Sequence, residues 1–149
     1  MSEFRVEKVK RSLDVVLSNG HKMSGTVFLE PVARHHAGEQ DIRELLNDDD
    51  EFFPFLVNNQ LTLLAKDQVK TATYRAPVDP TRATGRSVAV KVIMSDGNVV
   101  SGSIEMEARS HANRLLDFLN AFNGRYLAVA EGTTHCLVNR RMIAGVQQR

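Results

Sequence analysis

The sequence predicts a mainly β fold of two tandem five-stranded small barrels, each with a short helical insert between its second and third strands. Three observations lead there. A run of about 60 residues occurs twice, apolar residues alternate within it with the two-residue period of strands, and glycine-bearing turn pairs fall at matching places.

The repeat carries most of the argument. Leu13-Asp-Val-Val-Leu-Ser-Asn-Gly20 matches Val90-Lys-Val-Ile-Met-Ser-Asp-Gly97, a shift of 77 residues. The same shift lays Met23-Ser-Gly-Thr-Val27 on Val100-Ser-Gly-Ser-Ile104. Ile42 to Asn47 then falls on Leu115 to Asn120 at a shift of 73, so the first copy has four extra residues within Pro31–Asp41. Leu63 to Val69 falls on Leu137 to Ile143 at a shift of 74. Order, spacing and residue character agree throughout.

Each copy reads the same way. Leu13, Val15 and Leu17, like Val90, Val92 and Met94, form the apolar side of a first strand. Asn19-Gly20 and Asp96-Gly97 predict a tight primed hairpin turn. The return strand sets Met23, Gly25, Val27 and Leu29 on one face, repeated as Val100, Gly102, Ile104 and Met106. A glycine at the same point in both copies predicts a bend at which the sheet curls to close. The period then changes. Ile42, Leu45 and Leu46, and Leu115, Phe118 and Leu119, are spaced i, i+3, i+4, as one or two helical turns require. Asn113 is the expected N-cap of the second helix, and Asn47 and Asn120 the expected left-handed terminators. Third strands are expected over Phe52–Val57 and Tyr126–Ala130, with turns at Asn58-Asn59 and Glu131-Gly132. Fourth strands are expected over Leu61–Ala65 and His135–Asn139, and fifth strands from Val69 and Ile143.

The domain organisation that follows is a first unit over 1–74 with a basic N-terminal arm, a linker over 75–86 and a second unit over 87–149. The linker assignment rests on Pro77, Pro80 and Gly85 in a stretch with almost no apolar content.

The hairpin, the glycine of the second strand and the ending Val138-Asn-Arg-Arg-Met-Ile-Ala-Gly-Val146 resemble Sm-like, or more broadly SH3-like, small barrels. The echo of that ending in the first copy is Leu64-Ala-Lys-Asp-Gln-Val69. Arg114-Leu-Leu-Asp-Phe-Leu-Asn120 with Arg125-Tyr-Leu-Ala-Val129 also resembles an uncharacterised bacterial family with an R-L-x-D-x-L-N motif. The Sm-like resemblance implies a fold and a tendency to assemble. Sm-like RNA binders read bases with a short D-x-x-x-N stretch between strands two and three. Here the helical insert stands in that place, so no RNA-binding residue carries over.

Bulk properties narrow the function. With 42% hydrophobic and 25% charged residues in 149, the chain is of ordinary globular type. A net charge of +1 argues against a dedicated polyanion binder. Residues 1–74 hold 9 Lys and Arg against 12 Asp and Glu, a net −3, while residues 75–149 hold 10 against 6, a net +4. Halves of opposite sign can attract head to tail. No apolar run reaches the roughly 20 residues that cross a bilayer, and Met1–Ser12 has no following apolar segment, so the expectation is a cytoplasmic protein.

The residues that usually carry chemistry are sparse. His135 and Cys136 are neighbours in a strand and point to opposite faces, and His35-His36 sit in the copy-specific stretch. Asp48-Asp49-Asp50-Glu51 lacks the alternating ligands and glycine of a calcium loop. No metal site, cofactor or catalytic residue is expected, and the chain is expected not to be an enzyme. Two candidate surfaces remain. One is a partner-binding ridge of Arg114, Asp117 and Asn120, with Asn47 in the first copy. The other is a basic set, Arg125, Arg140 and Arg141, that would meet phosphates. The favoured function is a non-catalytic interaction or scaffold module that binds itself or a protein partner. RNA or another polyanion on the basic second unit is the alternative.

Overall fold

The structure, a computed structural model, describes residues 8–33, 39–76, 86–106 and 114–149. The expected N-cap Asn113, His35-His36, the first seven residues of the expected basic arm and most of the expected linker lie outside the described residues. The chain divides into two compact units, Met1–Ala72 and Thr73–Arg149.

In the first unit β1 (Val9–Leu17) and β2 (Lys22–Leu29) precede a short helix, α1 (Ile42–Asn47). Then come β3 (Phe52–Val57), β4 (Gln60–Ala65), a 3-10 turn over Lys66–Gln68 and β5 (Val69–Arg75), whose last residues belong to the second unit. The second unit runs β6 (Arg86–Met94), β7 (Val99–Met106), α2 (Leu115–Ala121), β8 (Tyr126–Glu131) and β9 (Thr134–Asn139). A 3-10 turn over Arg140–Met142 then leads to β10 (Ile143–Gln148). Residues 9–12, expected in the arm, are thus the start of β1.

The expected closed barrels are not what forms. Among the described residues ten antiparallel strands are ordered β5-β1-β2-β3-β4 in the first unit and β10-β6-β7-β8-β9 in the second, with the end of β5, which belongs to the second unit, beside β9. Neither order returns on itself, and β4 and β10 stand at open ends. The two glycines read as closure points explain the error. A Cβ on Gly25 would lie 2.4 Å from the Leu56 carbonyl oxygen, and one on Gly102 would lie 2.7 Å from that of Ala130. They admit the next strand at single close approaches, where Thr26 faces Leu56 and Ser103 faces Ala130. They do not join the two ends of a sheet.

The first-strand turns also differ from expectation. Gly20 and Gly97 have positive φ (88° and 92°), but Asn19 and Asp96 do not. Gly20 N–H donates to Leu17 O and Leu17 N–H to His21 O, with Gly97, Met94 and Asn98 doing the same in the second unit. This is a three-residue loop closed by a left-handed glycine. The primed two-residue turn occurs instead at Asn58-Asn59, both with positive φ, between the paired Val57 and Gln60.

The second-unit core joins Val88, Val90, Val92 and Met94 of β6 to Ile104 and Met106, Leu127 and Val129, and Val138. In the first unit Leu13, Val15, Val27, Leu29, Phe53 and Phe55 are buried, as are Ile42, Leu45 and Leu46 of α1. The helices differ in how they begin. Asp41 Oδ1 accepts from Glu44 N–H at 2.8 Å while Glu44 Oε1 accepts from Asp41 N–H at 3.2 Å, a complete capping box. The N-cap of α2 is Arg114, whose side chain caps nothing. Asp41→Ala is therefore expected to cost about 1 kcal/mol in urea unfolding, through fraying of α1. Neither helix ends on a left-handed asparagine. The C-caps are Asp48 and Phe122, both at negative φ.

Candidate functional site

The most unusual surface lies on β3 and β4. Alternation along Phe52-Phe53-Pro54-Phe55 sends Phe53 and Phe55 into the core and Phe52 and Pro54 outward. The register places Phe52 opposite Ala65, Pro54 opposite Leu63 and Leu56 opposite Leu61, so these six residues share the outer face. All are apolar. Phe52, Leu61 and Leu63 are 59%, 55% and 64% exposed, on a pair that ends in the open edge β4. Large side chains clustered in water at a strand edge mark a contact surface better than scattered ones do.

The shift of 74 residues supplies an internal control. Phe52 corresponds to Tyr126, Leu63 to Leu137 and Ala65 to Asn139, and those three are 0%, 0% and 2% exposed. The outer edge of β9 is occupied. Ala76 N–H donates to Thr133 O at 3.0 Å, the Tyr74 ring stacks on His135 at 5.3 Å, and Thr73 hydrogen-bonds Cys136. The three pairs run in opposite directions along the two strands, so the end of β5 lies antiparallel to β9. Burial pushes the Cys136 thiol's pKa up, partly offset by the Thr73 hydrogen bond, which leaves it protonated and a poor nucleophile at neutral pH. His135 Nε2 is buried with no hydrogen-bond partner among the described residues.

The ridge residues are brought together only in part. Arg114 Nε donates to Asp117 Oδ2 at 2.9 Å and Nη2 to Oδ1 at 3.3 Å. The Arg114 hydrogen bond holds the Asp117 pKa below its ordinary value, and the same contact raises that of Arg114. Asn120 is exposed one turn on, while Asn47 donates to the Arg43 carbonyl at 3.0 Å in the other unit. The first-copy counterparts of Arg114 and Asp117 are Asp41 and Glu44, the capping box, so the two positions do different work in the two units.

Of the basic set, the Arg140 side chain is engaged with the fold. Arg140 Nη1 donates to the Phe122 carbonyl at the end of α2, and Arg140 N–H to Arg125 O at 3.1 Å. Arg141 N–H is held by Asn139 Oδ1 at 3.0 Å, which leaves its side chain exposed. Lys66, the counterpart of Arg140 at a shift of 74, does the same in the first unit. Its Nζ donates to Leu45 O at 2.7 Å and to Asp48 Oδ1 at the end of α1, and its N–H to Glu51 O at 2.9 Å. A cation in this turn is thus a fastener for the helix C-terminus, where partial negative charge collects. Sequence reasoning missed Lys66, although its alignment with Arg140 was the available signal. It also missed the outer face of β3 and β4, for which the signal was the run of apolar residues on both parities from Phe52 to Val57.

Among the described residues no group of three or more His, Cys, Asp or Glu side chains is placed to hold a metal ion, and no helix is long and apolar enough to cross a membrane. No family model, curated protein or solved structure matches the chain.

Proposed function

We propose that the protein is a non-catalytic cytoplasmic scaffold module that assembles with copies of itself through its exposed strand edges. The observation that carries this reading is the apolar outer face of Phe52, Pro54, Leu61 and Leu63 on the edge pair β3–β4. Its counterpart in the second unit is covered, so the repeat has one covered and one open version of the same surface. Charge supports the same reading. Asp48–Glu51 precedes Phe52, which pairs with the last residue of β4, while Arg140 and Arg141 precede β10 and Arg149 follows it, so acidic residues lie near one open strand and basic residues near the other.

Light scattering over a concentration series tests this. The wild type is expected to exceed monomer mass at high micromolar concentration, and the double variant L61K/L63K to remain monomeric. Both leucines are more than half exposed, so the lysines leave the monomer's fold intact and charge the edge. A wild type that stays monomeric throughout the series would sink the proposal.

A further inference from the structure

We infer that the contact between copies is heterologous: β10 of one copy lies antiparallel along β4 of the next, as the end of β5 lies along β9 within the second unit. This rests on the self-association proposed above and adds its partner strand, polarity and register.

The argument is one of equivalence. At the shift of 74 residues β9 is the counterpart of β4 and β10 is the counterpart of β5. The end of β5 neighbours β9 within the second unit, whereas β4 and β10 each stand at the open end of their own unit. Burial follows the same division. In β10 Ala144 is exposed and Ile143, Gly145 and Val146 are only partly covered. Tyr126 of β8 and Leu137 of β9 are buried, and Phe52 of β3 and Leu63 of β4 are not. Each half of the covered contact has an uncovered copy elsewhere in the chain.

The backbone of β10 is correctly presented. Arg149 N–H donates to Ala89 O on β6, so the amides of Gln147 and Gly145 face β6 too, while those of Gln148 and Val146 face outward. In β5 it is the Ala76 amide, and by alternation that of Tyr74, that faces β9. Tyr74 corresponds to Gln148, so the outward amides match. Carrying the Thr73–Cys136 contact across by the shift sets Gln147 of one copy opposite Thr62 of the next. A contact that uses different surfaces on its two sides leaves one β4 and one β10 free after every addition, so it builds a ring or a filament rather than a twofold dimer.

Two variants, T62C and Q147C, each adding one cysteine to the partly buried Cys136, test this under mild oxidation, with the wild type giving the background from Cys136. Neither position is buried, so neither change disturbs a core. The expected result is a covalent dimer in the mixture, linked between positions 62 and 147, and none in either variant alone. If T62C links to itself, the contact is β4 to β4 and the inference is overturned, while self-association stands. If scattering shows assembly but no pair cross-links, the register and polarity are overturned in the same way. If there is no assembly at all, both the inference and the reading beneath it fall.

Discussion

Replacing Asp48 with alanine is expected to destabilise the first unit by about 3 kcal/mol in urea unfolding, far more than a surface carboxylate normally contributes. The reason is its partner. Lys66 is fully buried, and its ammonium is held by the Leu45 carbonyl at 2.7 Å and the Asp48 carboxylate. Removing the carboxylate takes a charged partner away from a fully buried ammonium, the costly way to break such a pair. Lys66→Met takes away the charge and keeps the apolar stem, and Asp48 is about one-third exposed, so water can solvate the carboxylate left behind. That variant is expected to lose roughly 1–2 kcal/mol, the cost of an unmade hydrogen bond at Leu45 O. The ordering D48A worse than K66M separates an ion-pair account from a packing one, which predicts the reverse.

Gly25→Ala is expected to cost about 3 kcal/mol, and Gly102→Ala nearly as much, in the same unfolding measurement. The added Cβ would meet the Leu56 carbonyl oxygen at 2.4 Å in one case and that of Ala130 at 2.7 Å in the other. Both obstacles are backbone atoms, so no rotamer change relieves the clash, and each adjoins the residue pair that joins its two strands, Thr26 with Leu56 and Ser103 with Ala130. Gly20→Ala is the control. Nothing lies within 4 Å of its Cβ, so its cost is that of the positive φ alone, about 1 kcal/mol. Equal costs at Gly20 and Gly25 would contradict the close-approach account.

Much of the local structure was legible because it is written locally. The alternation of Leu13 and Val15, or Val90 and Val92, marked strands that are buried on that parity, and the i, i+3, i+4 spacing of Ile42, Leu45 and Leu46 marked a helix that buries all three. The order of strands was not legible in this way. Whether a sheet closes depends on which distant edges meet, and Gly25 and Gly102 signal a close approach without naming what approaches. Turn type was misjudged for a related reason. Asn-Gly suits both a primed two-residue turn and a three-residue loop with a left-handed glycine, and the pairing of Leu17 with His21 decides between them. The open face of β3 and β4 escaped notice because Phe52–Val57 is apolar on both parities, which reads as a strand buried on both sides. Lys66 is not legible because lysine is rarely buried, and nothing in the pattern around its counterpart Arg140 marks that residue as a brace for α2.

Hydrogen–deuterium exchange at low and high protein concentration is the most direct measurement of the central claim, because the chain contains both versions of the same edge. The amides of β9 are expected to be protected at every concentration. Those of β4 on its open side, and those of Val146 and Gln148, are expected to exchange quickly when dilute and to gain protection together as concentration rises. Rapid exchange from β4 at all concentrations would contradict the account, and so would protection that appears on β4 without appearing on β10.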